Sequence, residues 1–119
     1  MAQVVALVDD LFFQAKLVET AKLLGVDLRT CTTPDALAAE IAKDAPRLVI
    51  VDLNARENPL GAAEKVRASG QKITLVAFLS HVQVDLAARA TAAGFPEVMP
   101  RSKFTQNLAT ILARAKSQS

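Results

Sequence analysis

The sequence is poor in cysteine and aromatic residues, and it has no long apolar run. Its 119 residues include one Cys, no Trp and no Tyr. The single cysteine, Cys31, excludes an internal disulfide and a zinc site built from several cysteines, so we expect it to be a small buried residue. No apolar run approaches the ~20 residues that cross a bilayer. The first residues lack the basic segment of a signal peptide, so we expect a cytoplasmic protein.

The net charge of the chain is also small. Fourteen Lys and Arg against twelve Asp and Glu give a formal net charge of +2. A nucleic-acid surface would need clustered basic residues and aromatic rings on which bases stack. The basic residues are scattered and five Phe are the only aromatic residues. We therefore expect neither direct nucleic-acid binding nor membrane binding.

Short apolar runs alternate along the chain with segments of helical periodicity. The runs predict strands at 4–8, 26–31, 48–51, 73–79 and 97–99. Helical spacing predicts helices that end at Gly25, begin at Thr33-Pro34, cover 59–66, end at Gly94 and include Phe104 to Leu112. Such alternation indicates an α/β fold, with a five-stranded parallel sheet and helices on both faces. We expect residues 1–119 to form one domain.

Polar side chains follow three of the strongest strands. They are Asp9 and Asp10 after the first, Asp52 after the third, and Ser80 and His81 after the fourth. The carboxyl ends of parallel strands meet at one edge of a sheet. Carboxylates 4 Å apart repel by about 4 kcal/mol at an effective dielectric near 20, and Mg²⁺ would offset that repulsion. The alternative for Asp9 and Asp10 is a turn and helix cap.

A carboxylate in such a site can act as a nucleophile toward a phosphoryl group. Ser80 could donate a hydrogen bond to a phosphoryl oxygen. A cation after the last strand would complete the site, and both Arg101 and Lys103 are candidates.

Together, these segments resemble the receiver domain of two-component response regulators, of the chemotaxis-receiver type, over essentially the full length. The matching motifs are Val8-Asp9-Asp10, Val49-Ile50-Val51-Asp52, Phe78-Leu79-Ser80 and Ala93-Gly94. The resemblance implies the flavodoxin-like topology with strand order 2-1-3-4-5. It also implies at most self-phosphorylation and autodephosphorylation, not a dedicated metabolic enzyme.

The resemblance implies a role for each matching residue. Asp52 would be the phosphoacceptor, and Ser80 would couple phosphorylation to a distant face. Asp10 would bind Mg²⁺ directly, Asp9 through water, and Asn54 through its backbone carbonyl. The phosphodonor would be a phosphohistidine on a histidine kinase or a phosphotransfer protein.

The family's usual partner surface would be formed by the fourth helix, the fifth strand and the fifth helix, at about 84–115. It implies a homodimer or a downstream protein partner. Because basic residues flank this surface, we expect an acidic partner. The flanking residues are Arg89, Arg101, Lys103 and Arg114.

The chain departs from the family pattern at four places. Arg101 stands at the position of the usual lysine, and Lys103 would reach the site only through a shifted loop. Val98 replaces the switch aromatic, His81 follows the hydroxyl where a small residue is usual, and Ala55-Arg56 replaces Met-Pro.

These departures leave a second hypothesis open, a pseudo-receiver that binds partners without being phosphorylated. A flavodoxin-like cofactor binder is a third, disfavoured because Asp9-Asp10-Leu11 would repel phosphate and no Gly-rich motif is present. The kinase, the pathway and the completeness of the chain stay open.

Overall fold

Five parallel strands form a single sheet in the computed structural model, which describes residues 3–80 and 83–116. The strands are β1 (Val4–Leu7), β2 (Leu28–Cys31), β3 (Leu48–Asp52), β4 (Thr74–Leu79) and β5 (Glu97–Pro100). Their order is β2-β1-β3-β4-β5. The fold class and strand order expected from the sequence are therefore confirmed.

Helices connect the strands. They are α1 (Leu11–Leu24), α2 (Pro34–Lys43), α3 (Ala62–Ala68), α4 (Val84–Ala93), α5 (Arg101–Gln106) and α6 (Leu108–Lys116), with a 3-10 turn at Pro59–Gly61. The predicted caps are present. Thr33 Oγ1 accepts a hydrogen bond from the Ala36 N–H at 3.0 Å. Gly25 and Gly94 end α1 and α4 at φ 72° and 110°, a left-handed conformation that favours glycine.

No helix in the described residues is long and apolar enough to cross a membrane.

The sheet lies between two apolar cores. Alternate residues of β1 point to opposite faces, so Val5 and Leu7 pack in the core beneath α2, α3 and α4. Val4 and Ala6 pack in the core beneath α1, α5 and α6. Because helices cover both faces, every residue of β1 and β3 is buried. This burial is the reason that these strands are continuous apolar runs in the sequence.

Several boundaries differ from those that the sequence predicts, and two of the differences have a clear physical cause. β2 begins at Leu28, because Val26 still donates its N–H to the Ala21 carbonyl at the end of α1. The single predicted last helix is interrupted at Asn107, between α5 and α6. There, the Asn107 side-chain amide donates to the Lys103 carbonyl at 2.9 Å, and such side-chain bonds compete with the helical backbone pattern.

Candidate functional site

The carboxyl edge of the sheet brings together residues from three of its strands. Asp10 lies just beyond β1, Asp52 is the last residue of β3, and Arg101 directly follows β5. The Arg101 Nη2 is 3.5 Å from Asp52 Oδ2 and 3.6 Å from Asp10 Oδ2. The edge that the sequence predicted to carry the chemistry therefore holds two of the predicted acids around one cation. In the following paragraphs, this group of residues with Asp9 is called the acid site.

Asp52 is a buried carboxylate, with 3% of its surface exposed. Its Oδ1 accepts a hydrogen bond from the Asn54 N–H at 2.8 Å. Burial raises the pKa of Asp52 above its usual value, because removal from water disfavours the charged form. The Asn54 N–H and Arg101 act in the opposite direction, while the negative charges of Asp9 and Asp10 also raise this pKa. The effect of burial is the largest of these, so the pKa of Asp52 is raised overall.

The other two acids, Asp9 and Asp10, accept hydrogen bonds from backbone N–H groups. Asp10 caps α1, with Oδ1 accepting from the Phe12 and Phe13 N–H groups at 3.0 and 3.2 Å. The helix-cap alternative is thus correct for Oδ1, while Oδ2 faces Arg101. Asp9 Oδ2 accepts from the Arg56 N–H at 2.9 Å and lies 3.5 Å from the Arg56 Nε. Each acid therefore has one oxygen that the surrounding backbone already uses.

Arg101 is held in the acid site by aromatic rings as well as by charge. Its Cζ lies 4.5 Å from the ring centroid of Phe13 and 5.6 Å from that of Phe78. Phe78 in turn stacks on Phe104 with centroids 4.5 Å apart. A guanidinium on an aromatic face is attracted by the ring quadrupole. The structure therefore distinguishes the two predicted cations: Arg101 lies among the acids, whereas Lys103 is exposed on α5.

The side chain of Asn54 connects Ser80 with α4, a role that the sequence analysis missed. Its Oδ1 accepts from the Ser80 N–H at 2.6 Å and from the Ser80 Oγ at 2.9 Å. Its Nδ2 donates to Gln83 Oε1, just before α4, at 3.0 Å. The sequence signal that could have indicated this role is an amide side chain two residues beyond Asp52, at the carboxyl edge of the sheet. The predicted role of the Asn54 carbonyl stays a prediction, and His81 lies outside the described residues.

The acid site offers the type of ligand that a hard divalent cation prefers. Carboxylate oxygens from Asp9, Asp10 and Asp52 are the donors that Mg²⁺ prefers. Within residues 3–80 and 83–116, however, no group of three or more His, Cys, Asp or Glu side chains is arranged to hold a metal ion. The Arg101 head group lies where the free oxygens of Asp10 and Asp52 meet.

A cavity of about 270 Å³ lies between α4 and β5. It is lined mainly by apolar side chains and includes Val98, at the position where receivers usually carry an aromatic residue. Gln83, which is bonded to Asn54, also lines it. The predicted partner surface thus contains an apolar opening that is linked to Asp52 through two hydrogen bonds, from Asn54 to Gln83 and from the Asn54 N–H to Asp52.

The four basic residues expected beside this surface have different surroundings. Arg101 turns into the acid site, and Arg114 forms two hydrogen bonds with Glu97 at 2.7 and 3.3 Å, which raise the pKa of Arg114. Arg89 and Lys103 are exposed. The positive character expected for this surface therefore depends mainly on Arg89 and Lys103.

No family model matches the sequence, and no curated protein matches it either. Solved structures do match. The receiver domain of NtrX from Brucella abortus is 20% identical with a TM-score of 0.78, and the match covers 98% of this chain and 99% of that one. A longer NtrX chain from the same organism is 19% identical with a TM-score of 0.76, and the match covers 98% of this chain but only 28% of that one.

Two further structures extend the comparison to other bacteria. A DNA-binding response regulator of the LuxR family from Staphylococcus aureus is 12% identical, with a TM-score of 0.76 and coverage of 98% of this chain and 100% of that one. The N-terminal domain of a response regulator/sensory box/GGDEF protein from Carboxydothermus hydrogenoformans is 16% identical, with a TM-score of 0.76 and coverage of 94% and 91%. The similarity covers nearly the whole chain, and the chain has the fold of a response regulator receiver domain.

Proposed function

We propose that the chain is a phosphoacceptor receiver domain of a two-component phosphorelay. In this proposal, Asp52 accepts a phosphoryl group from a phosphohistidine on a histidine kinase or a phosphotransfer protein. The observation that carries the proposal is the position of Asp52, a buried carboxylate at the end of a central strand, with one oxygen on the Asn54 N–H and the other facing Arg101. We also propose a cytoplasmic location.

The reaction uses groups that the acid site already contains. An Asp52 oxygen attacks phosphorus, the P–N bond breaks, and its electron pair stays on the imidazole nitrogen, which takes up a proton. The product is an acyl phosphate on Asp52. Arg101 donates charge-assisted hydrogen bonds to the phosphoryl oxygens, and the Ser80 hydroxyl supplies a further donor once it leaves Asn54.

We propose Mg²⁺ as the cofactor of this reaction. Asp9, Asp10, Asp52 and the carbonyl of Asn54 would hold it. When bound, Mg²⁺ neutralises charge on the phosphoryl oxygens during transfer. The support for this proposal is that the acid site offers carboxylate oxygens, the type of ligand that Mg²⁺ prefers.

Exposed apolar side chains at the start of α1 support docking of a protein phosphodonor. Leu11 is 75% exposed and Phe12 is 91% exposed, and Phe12 follows the cap residue Asp10 by two positions. Large exposed apolar side chains grouped together mark binding surfaces. A partner that covers this turn of α1 would bring its phosphohistidine to the mouth of the acid site.

We propose that the output surface is the face formed by α4, β5 and the last helix, residues 84–115. The bonds of Asn54 with Ser80 and Gln83 support this assignment, because a move of the Ser80 hydroxyl toward a phosphoryl group would remove one of the three hydrogen bonds that connect the Asn54 side chain to the region before α4. The partner at this face is a downstream protein or a second copy of the chain.

The test is intact-mass measurement after incubation with acetyl phosphate and Mg²⁺, and separately with a phosphorylated histidine kinase. We expect one added phosphoryl group on the wild type and none on Asp52→Asn. Glu57→Gln, which changes an exposed residue of the same loop, is the control for effects on the loop itself and should be phosphorylated. No adduct from either donor on the folded wild type would refute the proposal.

The second candidate is a pseudo-receiver that signals by binding alone. It is favoured by the position of Arg101, which fills the point between Asp10 and Asp52. This candidate predicts equal partner affinity for the wild type and Asp52→Ala. The phosphoacceptor proposal predicts that acetyl phosphate changes the partner affinity of the wild type only.

A further inference from the structure

Arg101 supplies the positive charge that the acid site needs. Two carboxylate oxygens, Asp52 Oδ2 and Asp10 Oδ2, converge on its Nη2 at 3.5 and 3.6 Å. Asp52 is buried, so its negative charge is poorly screened by water. The opposite charge of Arg101 lowers the pKa of Asp52 against the effect of burial. The site is therefore partly neutralised by a residue of the chain itself.

The position of the guanidinium is fixed by more than charge. Its Cζ also lies over the rings of Phe13 and Phe78, which attract the guanidinium in addition to the acids. Its Nε is buried and has no hydrogen-bond partner in the structure. An unbonded buried donor is unfavourable. The acids and the rings therefore hold the guanidinium in place against the free-energy cost of the buried Nε. Movement of the guanidinium into water would remove this cost.

A divalent cation at this point would require the same space. Mg²⁺ binds oxygens at about 2.0–2.1 Å, so two carboxylate ligands of one ion have oxygens no more than about 4.2 Å apart. A single nitrogen of Arg101, Nη2, contacts one carboxylate oxygen of Asp10 and one of Asp52. A guanidinium and a divalent cation this close would also repel each other.

We propose that Arg101 is an internal counter-ion that competes with Mg²⁺ for the acid site. The cation enters only when the guanidinium leaves Asp10 and Asp52 and lifts off the rings of Phe13 and Phe78. The inference rests on the proposed function in so far as Mg²⁺ belongs to that function. It makes the metal affinity of the chain depend on Arg101.

The variant Arg101→Met tests this competition, because methionine keeps an apolar stem against the rings but carries no charge. Isothermal titration with MgCl₂, without any phosphodonor, should give a dissociation constant at least about tenfold lower for Arg101→Met than for the wild type. Arg56→Met is the matched control. It removes an equally charged group that contacts Asp9 and is 86% exposed, so the change in affinity should stay below about threefold.

A second readout requires no variant. In the wild type, Mg²⁺ should shift the NMR signals of the Arg101 Nε–H group and of the Phe13 ring protons, because the guanidinium moves off that ring. The inference is refuted if these signals stay in place while Mg²⁺ binds. Equal affinities of Arg101→Met and the wild type, equal gains for Arg56→Met and Arg101→Met, or no Mg²⁺ binding by any folded form would also refute it.

The outcome is separable from that of the proposed function. Tighter Mg²⁺ binding by Arg101→Met, together with no phosphoryl adduct on the wild type, would support the competition and refute the phosphoacceptor role. An adduct on Asp52 together with equal affinities would do the reverse. Far-UV circular dichroism of Arg101→Met checks that it is folded, and the wild-type NMR signals decide the matter if it is not.

Discussion

At the scale of single residues, Asp52 shows opposing electrostatic effects at one carboxylate. Burial and two neighbouring acids disfavour its charge, while one backbone N–H and Arg101 favour it. A nucleophile must be ionised, yet a carboxylate fully exposed to water would be better solvated and less reactive. In the proposed function, these contacts would hold a reactive carboxylate at a position where its charge is costly for the fold.

The first prediction concerns stability and pH. Because the pKa of Asp52 is raised in the folded chain, ionisation of this residue destabilises the fold above that pKa, and the penalty disappears as the pH falls toward 3.8. Asp52→Asn should therefore raise the free energy of unfolding by about 1 kcal/mol at pH 7, with a smaller gain in acid. Urea denaturation at several pH values measures this. A variant less stable than the wild type at pH 7 would contradict it.

The side chain of Asn54 makes three hydrogen bonds that the sequence does not predict. Asn54→Ala removes the bonds to both Ser80 and Gln83, whereas Gln83→Ala removes only the second. We expect Asn54→Ala to lower the free energy of unfolding by about 0.5–1.5 kcal/mol and Gln83→Ala by less.

The same pair of variants tests positioning. The amide NMR signal of Ser80 should shift strongly in Asn54→Ala and little in Gln83→Ala. If phosphorylation of Asp52 draws the Ser80 hydroxyl away from Asn54, the difference between the variants in this signal should shrink in the phosphorylated protein. Similar Ser80 shifts in both variants before phosphorylation would argue against Asn54 as the positioning residue.

At the scale of secondary-structure elements, two features of the proposed function meet at the amino end of α1. Its cap, Asp10, is part of the acid site, and its first turn exposes Leu11 and Phe12. Its buried residue Phe13 supports Arg101. A partner that contacts this turn therefore touches the same short segment that forms one wall of the site.

The third prediction uses the two ends of α1. Phe12→Ala should slow phosphoryl transfer from a phosphorylated kinase or phosphotransfer protein by about tenfold or more, because it removes a large exposed ring from the docking surface. Leu23→Ala is the matched control, since Leu23 is 84% exposed at the far end of the helix. Transfer from acetyl phosphate should be unchanged in both variants. Equal rates of kinase transfer in the two variants would exclude docking at Phe12.

At the scale of the whole molecule, the acid site lies at the carboxyl edge of the sheet. Two paths connect it to the α4 and β5 surface: Asn54 bonds to both Asp52 and Gln83, and Arg101 directly follows β5. Both paths begin at atoms that would change partners on phosphorylation. A signal at the acid site therefore has physical routes to the surface of residues 84–115.

The fourth prediction concerns this surface. If an acidic partner or a second copy binds there, Arg89→Glu should weaken the association by about tenfold, because a like charge in an interface is strongly unfavourable. Arg47→Glu is the control, since Arg47 is exposed just before β3, at the opposite edge of the sheet. Sedimentation velocity with and without acetyl phosphate measures self-association, and calorimetry measures partner binding. Equal behaviour of both variants would remove this surface from the proposal.

The sequence by itself was sufficient for the architecture and for most of the acid site. Continuous apolar runs predict strands buried on both faces, and helix caps such as Thr33 and Gly94 act through neighbours in the chain. Because parallel strands share a carboxyl edge, acids that end those runs, such as Asp10 and Asp52, were also predictable.

Only the tertiary structure decided which side chains meet there. The choice of Arg101 over Lys103 depends on rings and acids brought together by the sheet, including Asp52, which is 49 positions away in the chain. The bonds of Asn54 to Ser80 and Gln83 join residues 26 and 29 positions apart. No local pattern encodes such contacts, because their energies depend on distances that exist only after β1, β3, β4 and β5 have come together in one sheet.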